Sequence, residues 1–213
     1  MSTDEELRGE EPRAKELRAA AGGIAYRCSQ VALIALLIGE PLTVTPPPRM
    51  AAANVVQLVS NAFVESALVH ARAIAYFLAT TKKTDEVKAV DYAQYSARVG
   101  EPLVDRDLAK FVAREVLSPV SNHVAHSKYA GALKHDPDQH PGRWPIPELA
   151  VVLLDGVAQT VDRLDQTARA WFIPHPIELA GMLNSRRSFR TAPRSEHPAV
   201  RRLTDALHAR LEA

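Results

Sequence analysis

The sequence predicts an all-α protein, an antiparallel bundle of four to five helices with helical extensions at both ends. Three observations lead there. The 213 residues are rich in Ala, Leu, Arg and Glu and include only 9 glycines, a mix that loses little rotamer freedom in helices. Apolar residues recur at steps of three and four over several long stretches, the spacing of one helix face. No segment alternates apolar and polar residues with the β-branched richness of a half-buried strand. An apolar share of 46% is enough for a full core.

The first helix is expected over about Glu11 to Ile38, stopped by Gly39, Pro41 and the "TPPPR" break at 45–49. Its apolar run Val31 to Gly39 is far short of the roughly 20 residues of a membrane span, so a packed core helix is expected. A second, long helix is expected over about Arg49 to Thr80. Val55, Val59, Ala62, Phe63, Ser66, His70, Ile74 and Phe77 fall on one of its faces. A polar loop through "DEVKAVDY" leads to a third helix opening at Asp105, whose carboxylate can cap the free amides. Leu108, Phe111, Val112 and Val116 supply its apolar stripe.

Ser118 and Pro119 read as a joint. Proline cannot continue the helical ladder but suits a first helical turn, so Ser118 is expected to cap a fresh helix carrying "VSNHVAHSKYAGAL". That helix should end before the loop "KHDPDQHPGRWP", with Trp144 as a packing anchor. A fifth helix is expected over about Pro147 to Phe172, with Leu149, Val152, Leu153, Val157, Val161 and Leu164 inward. Residues Ile173 to Pro198 are Pro- and Arg-rich and expected to be loosely ordered, before a short last helix over about Ala199 to Leu211. These breaks divide the chain into an acidic segment with an apolar helix at 1–49, a bundle at 50–172 and a tail at 173–213.

A formal net charge of +1 gives no global pull toward nucleic acid or a membrane surface. The charge is uneven: residues 1–18 hold six acids against four bases, and 184–202 hold six arginines against one acid. The tail arginines Arg186, Arg187, Arg190 and Arg194 read as a solvated linker. A single cysteine, Cys28, excludes an internal disulfide framework and a Cys-rich zinc site. A cytoplasmic protein without a membrane partner is expected, and no cofactor.

The stretch "SNHVAH", Ser121 to His126, carries the candidate chemistry. On a helix Asn122 and His126 share a face, His123 and His126 do so more loosely, and Val120 and Val124 form the apolar side. On the long helix, Asn61, Glu65, Arg72 and Tyr76 make a polar stripe that needs partners. Three readings compete. His123 and His126 with Glu65 or His70 would hold a metal, though no HExxH motif is present. His126 would transfer protons in phosphodiester chemistry, with Arg72 or Arg114 stabilising the developing charge. Or the polar groups form a hydrogen-bonded seam that sets helix register. His135 and His140 read as loop residues.

"NAFVESALVHARAIAYFL", "DEVKAVDY" and "VSNHVAHSKY" together resemble an uncharacterised bacterial family of helical proteins, over roughly residues 54–168. "SNHVAH" in turn resembles the signature of HEPN domains, helical bundles found in RNA-cutting toxins, antiphage systems and their inactive relatives. Active members carry an arginine, usually a polar residue next, and a histidine five positions after the arginine, often brought together at a dimer interface. By this resemblance Asn122 takes the polar position, Ala125 the small residue and His126 the histidine. Ser121 stands where the arginine belongs, which removes a charge-stabilising group unless Arg72 substitutes. The resemblance implies an HEPN-like homodimer joined through the face near His126, a non-catalytic binding or regulatory module of the defence or toxin–antitoxin type, with RNA or protein as its partner. The alternatives are a metal-independent endoribonuclease using His126, Asn122 and Arg72, and a metal-binding bundle using His123 and His126.

Overall fold

The three- and four-residue apolar steps do form helices. The computed structural model describes residues 12–38, 45, 47–48, 51–79, 87–130, 144–185 and 198–212; for 12, 123, 125–130 and 184–185 it describes the backbone course only. Eight α-helices stand among the described residues, and no strand. The protein is all-α.

Helix α1 (Pro12–Leu37) buries Leu17, Ala21, Ile24, Cys28, Val31 and Ile34 along one side. It packs beside α2 (Ala52–Leu78), which contributes Ala67, Leu68, Ala71, Ile74, Ala75 and Leu78 to the core. Helix α2 has no side-chain cap at either end, so packing, not capping, sets its bounds. Both helices are long and apolar enough by length and composition to cross a membrane; the apolar residues 31–37 are the end of a longer apolar helix. In this fold each lays one side against the core.

Residues Ala89–Tyr95, expected as open loop, wind into a short 3₁₀-helix. Two contacts hold it. The Asp91 carboxylate accepts from the Lys88 amide at 2.8 Å, and the buried Tyr92 hydroxyl donates to the Leu17 carbonyl at 2.6 Å. Tyr92 sits among Phe77, Trp171 and Phe172 in an aromatic group whose ring centres lie 5.7–6.5 Å apart.

Asp105 caps α3 (Arg106–Phe111) as expected, accepting from the Asp107 and Leu108 amides at 2.9 Å each. The expected break at Ser118-Pro119 does not occur. Helix α3 passes through a π-turn, Val112–Val116, directly into α4 (Leu117–Ala130). The π-turn's wider bond, Leu117 amide to Val112 carbonyl, opens the ladder just ahead of the proline. It also serves packing. Leu108, Val112, Val116, Val120 and Val124 are all buried at steps of four, a spacing that drifts about 40° per step in a pure α-helix. A π-turn winds less per residue and keeps the stripe facing inward.

Helix α5 (Ile146–Asp162) is the most buried element and ends ten residues before the expected Phe172. Long-range bonds stop it: the Ala97 amide donates to the Arg163 carbonyl at 2.8 Å, and the Asp165 amide to the Tyr95 carbonyl at 2.7 Å. Asp165 then caps the short α6 (Gln166–Arg169). Part of the expected loose tail is helical too. Helix α7 (Pro176–Ser185) starts on proline, buries Ala180 and Leu183, and packs on α5 and α1. Helix α8 (Pro198–Glu212) docks through Val200, Leu203 and Leu207. One core therefore draws on residues from 17 to 207, across the positions 49 and 172 at which the sequence suggested boundaries.

Candidate functional site

The stretch 121–126 lies in the middle of α4, on a helix that packs against α2. Val120 and Val124 are buried and form its inward side, as the spacing predicted. Asn122 is exposed. The side chains of His123 and His126 lie outside the described residues, as do His135, His140 and the arginines of 186–194. Ser121, at the arginine position of the resembled motif, is half-buried, and its hydroxyl oxygen is buried without a hydrogen-bond partner.

Arg72 and His70 leave α2 on different sides. Two residues turn about 200° around a helix, so the pair flanks the core stripe rather than sharing a face. His70 points toward α1, where Tyr26 meets it edge-on with ring centres 5.9 Å apart. Burial, and secondarily the Arg27 guanidinium, hold its imidazole below the ordinary histidine value. Its Nδ1 is buried without a hydrogen-bond partner. Arg72 stacks over its own helix's Tyr76, guanidinium carbon to ring centre 5.3 Å, and its Nε is buried without a partner. Glu65 is exposed. Among the described residues, no group of three or more His, Cys, Asp or Glu side chains is close enough to hold a metal. Cys28 is buried in the core, and burial pushes its thiol up to about 12, which removes it as a nucleophile at neutral pH.

Two polar features escaped the sequence. Glu148, in the first turn of α5, is buried with 5% exposure, and its Oε1 lies 3.3 Å from His208 Nε2 on α8. A cleft of about 260 Å³ beside them is lined by Leu108, Val152, Asp155, Gly156, Gln159 and Arg210. Arg210 stacks over Phe111 at 5.3 Å. The only sequence signal was an acid opening an apolar helix, favourable at a helix N-terminus; its partner is 60 residues away. Comparison with protein-family models, curated proteins and solved structures finds no match to this chain.

Proposed function

We propose that this protein is an HEPN-like, non-catalytic binding or regulatory module of the cytoplasm, working as a homodimer with RNA or a protein as its partner. The observation that carries the binding role is α2. From 52 to 64 the helix has no charged residue, and none of residues 51–66 is buried. Leu58 is 62% exposed and Val69 45%. A surface like this, on a chain otherwise well packed, suits association more than turnover. Ser121 supports the non-catalytic part, since a neutral hydroxyl stands where the resembled nucleases carry a guanidinium.

Purified full-length protein incubated with structured and unstructured RNA, beside His126→Ala, tests this. The expected result is no cleavage by either protein, and a dimer at about 50 µM in sedimentation. Cleavage that disappears in His126→Ala would overturn the non-catalytic reading. It would favour a metal-independent endoribonuclease using His126 and Asn122, with Arg72 as the substitute arginine. One observation speaks for that second reading: Arg72 sits on the helix packed against α4, with an Nε donor unused.

A further inference from the structure

Helix α2 is apolar on two faces, and the core uses only one. Ala67, Ala71, Ile74 and Leu78 face inward. Roughly opposite them, Leu58, Ala62, Glu65, Val69, Arg72 and Tyr76 follow one another at steps of 4, 3, 4, 3 and 4, the alternation of a coiled-coil seam. The first four are exposed, and Arg72 and Tyr76 are half-buried. Over 18 residues the seam runs about 27 Å.

The seam carries two charges, Glu65 and Arg72, and neither makes an ion pair with another described residue. Arg72 is held on Tyr76, so its guanidinium is kept on the seam rather than turned inward to an acid. The spacing is also a palindrome. If a second copy lies antiparallel about a twofold axis at residue 67, Leu58 meets the partner's Tyr76, Ala62 the partner's Arg72, and Glu65 the partner's Val69. Each Glu65 then lies one layer, about 4.5 Å along the axis, from the partner's Arg72, and symmetry makes the pair twice. A parallel pairing would instead set Glu65 against Glu65 and Arg72 against Arg72. Charge therefore selects the antiparallel arrangement.

We infer that a second copy of this chain docks antiparallel along the outward face of α2, with Leu58, Val69 and Tyr76 as the apolar contacts and Glu65 paired to the partner's Arg72. This rests on the homodimer reading, moves its surface from the face near His126 to the outward face of α2, and gives it a register.

Sedimentation equilibrium of the full chain and four variants tests it. Glu65→Arg and Arg72→Glu should each weaken the dimer by about tenfold or more, because each turns two attractions into two repulsions. The double reversal E65R/R72E should return within about threefold of the wild-type Kd. Leu58→Asp should abolish association independently of the charge pair. Glu65 and Leu58 are exposed, so these two variants should keep wild-type circular dichroism and Tm. A wild-type chain that is monomeric at about 50 µM would overturn both this inference and the homodimer reading. A dimer indifferent to Glu65→Arg and Leu58→Asp would overturn the inference and leave the homodimer standing. Single reversals that weaken without rescue in the double variant would overturn the antiparallel register. Flotation of wild-type protein, but not Leu58→Asp, with phosphatidylcholine vesicles would assign the face to a lipid surface and overturn the inference.

Discussion

Gly156 offers the sharpest test of how this core is packed. It lies inside α5 and is buried, at the edge of the cleft beside Leu108. A Cβ added there would stand 2.8 Å from Leu108 Cδ2 and 2.9 Å from Leu78 Cδ1, where carbon pairs are at ease at about 3.5–4.0 Å. Leu78 is fully buried and has no free space for its methyl to swing into, whereas Leu108 borders the cleft and can yield more easily. Gly156→Ala thus meets two opposing terms. Helix propensity favours alanine by about 1 kcal/mol, and overpacking against the buried Leu78 costs about 1–3 kcal/mol. Gly22, in α1, provides the control, because a Cβ there meets nothing within 4 Å. Gly22→Ala should gain the full propensity term of about 1 kcal/mol. The two variants should then differ by the overpacking term alone, about 1–3 kcal/mol, or roughly 2–12 °C in Tm for a chain of this size. Thermal melts followed by circular dichroism measure the difference. Labelling of Cys28 gives a second reading, since its buried thiol is exposed only when the core opens. If Gly156→Ala stabilises as much as Gly22→Ala, the close approach of α5 to Leu78 and Leu108 is wrong.

Asp105→Ala should cost about 1 kcal/mol through the lost cap of α3. The Leu108 amide, with smaller help from the Asp107 amide, Arg210 and Arg163, holds the Asp105 carboxyl below its ordinary value. Its contribution is therefore full above the unfolded aspartate pKa and fades as pH falls through the depressed folded value. Wild type and variant should converge in acid urea titrations, and a gap that widens instead would contradict the cap. Tyr92→Phe removes one buried hydrogen bond and should lower stability by about 0.5–1.5 kcal/mol, read as a shift in urea midpoint at constant slope. His208→Ala leaves Glu148 buried without its imidazole and should cost about 1–3 kcal/mol. In hydrogen exchange the loss should appear first in the amides of α8, and uniform loss across the chain would argue against a docking role for the pair.

Much of the architecture was readable because it rests on local periodicity. The Asp105 cap, the apolar face at Val120 and Val124 and the last turns of the α2 stripe, Ile74 and Phe77, follow from neighbours within one or two turns. The first half of that stripe does not hold, since Val55 and Val59 are only half-buried and Ala62 is exposed. What escaped depends on partners far along the chain. The end of α5 is set by Tyr95 and Ala97, which no window around Phe172 contains. The burial of Glu148 depends on His208. Helix α7 hid behind a composition of prolines and arginines, although Pro176 occupies the one helical position that tolerates proline well. Ser118-Pro119 failed for a different reason: proline's usual effect was absorbed upstream. Of the candidate site, the residue types and their helix were legible in the sequence. The sequence also put His70 and Arg72 on different sides of α2; what it could not supply is the neighbour each meets, Tyr26 on α1 for His70 and Tyr76 on its own helix for Arg72. His70 and Arg72 are two residues apart and serve different neighbours.

The π-turn at Val112–Val116 has a consequence for the face that bears Asn122. A π-turn holds one residue more than the α-turn it replaces, so it acts as a phase shifter between the two halves of one helix. Deleting Ala113 would remove that extra residue and leave everything beyond it in nearly its present direction, whereas regular winding with all residues kept would rotate Val120 and Val124 out of the core by about 100°. The direction in which residues 121–126 look is therefore a matter of residue count. It depends on the one extra residue that the π-turn absorbs, not on any side chain of the stretch.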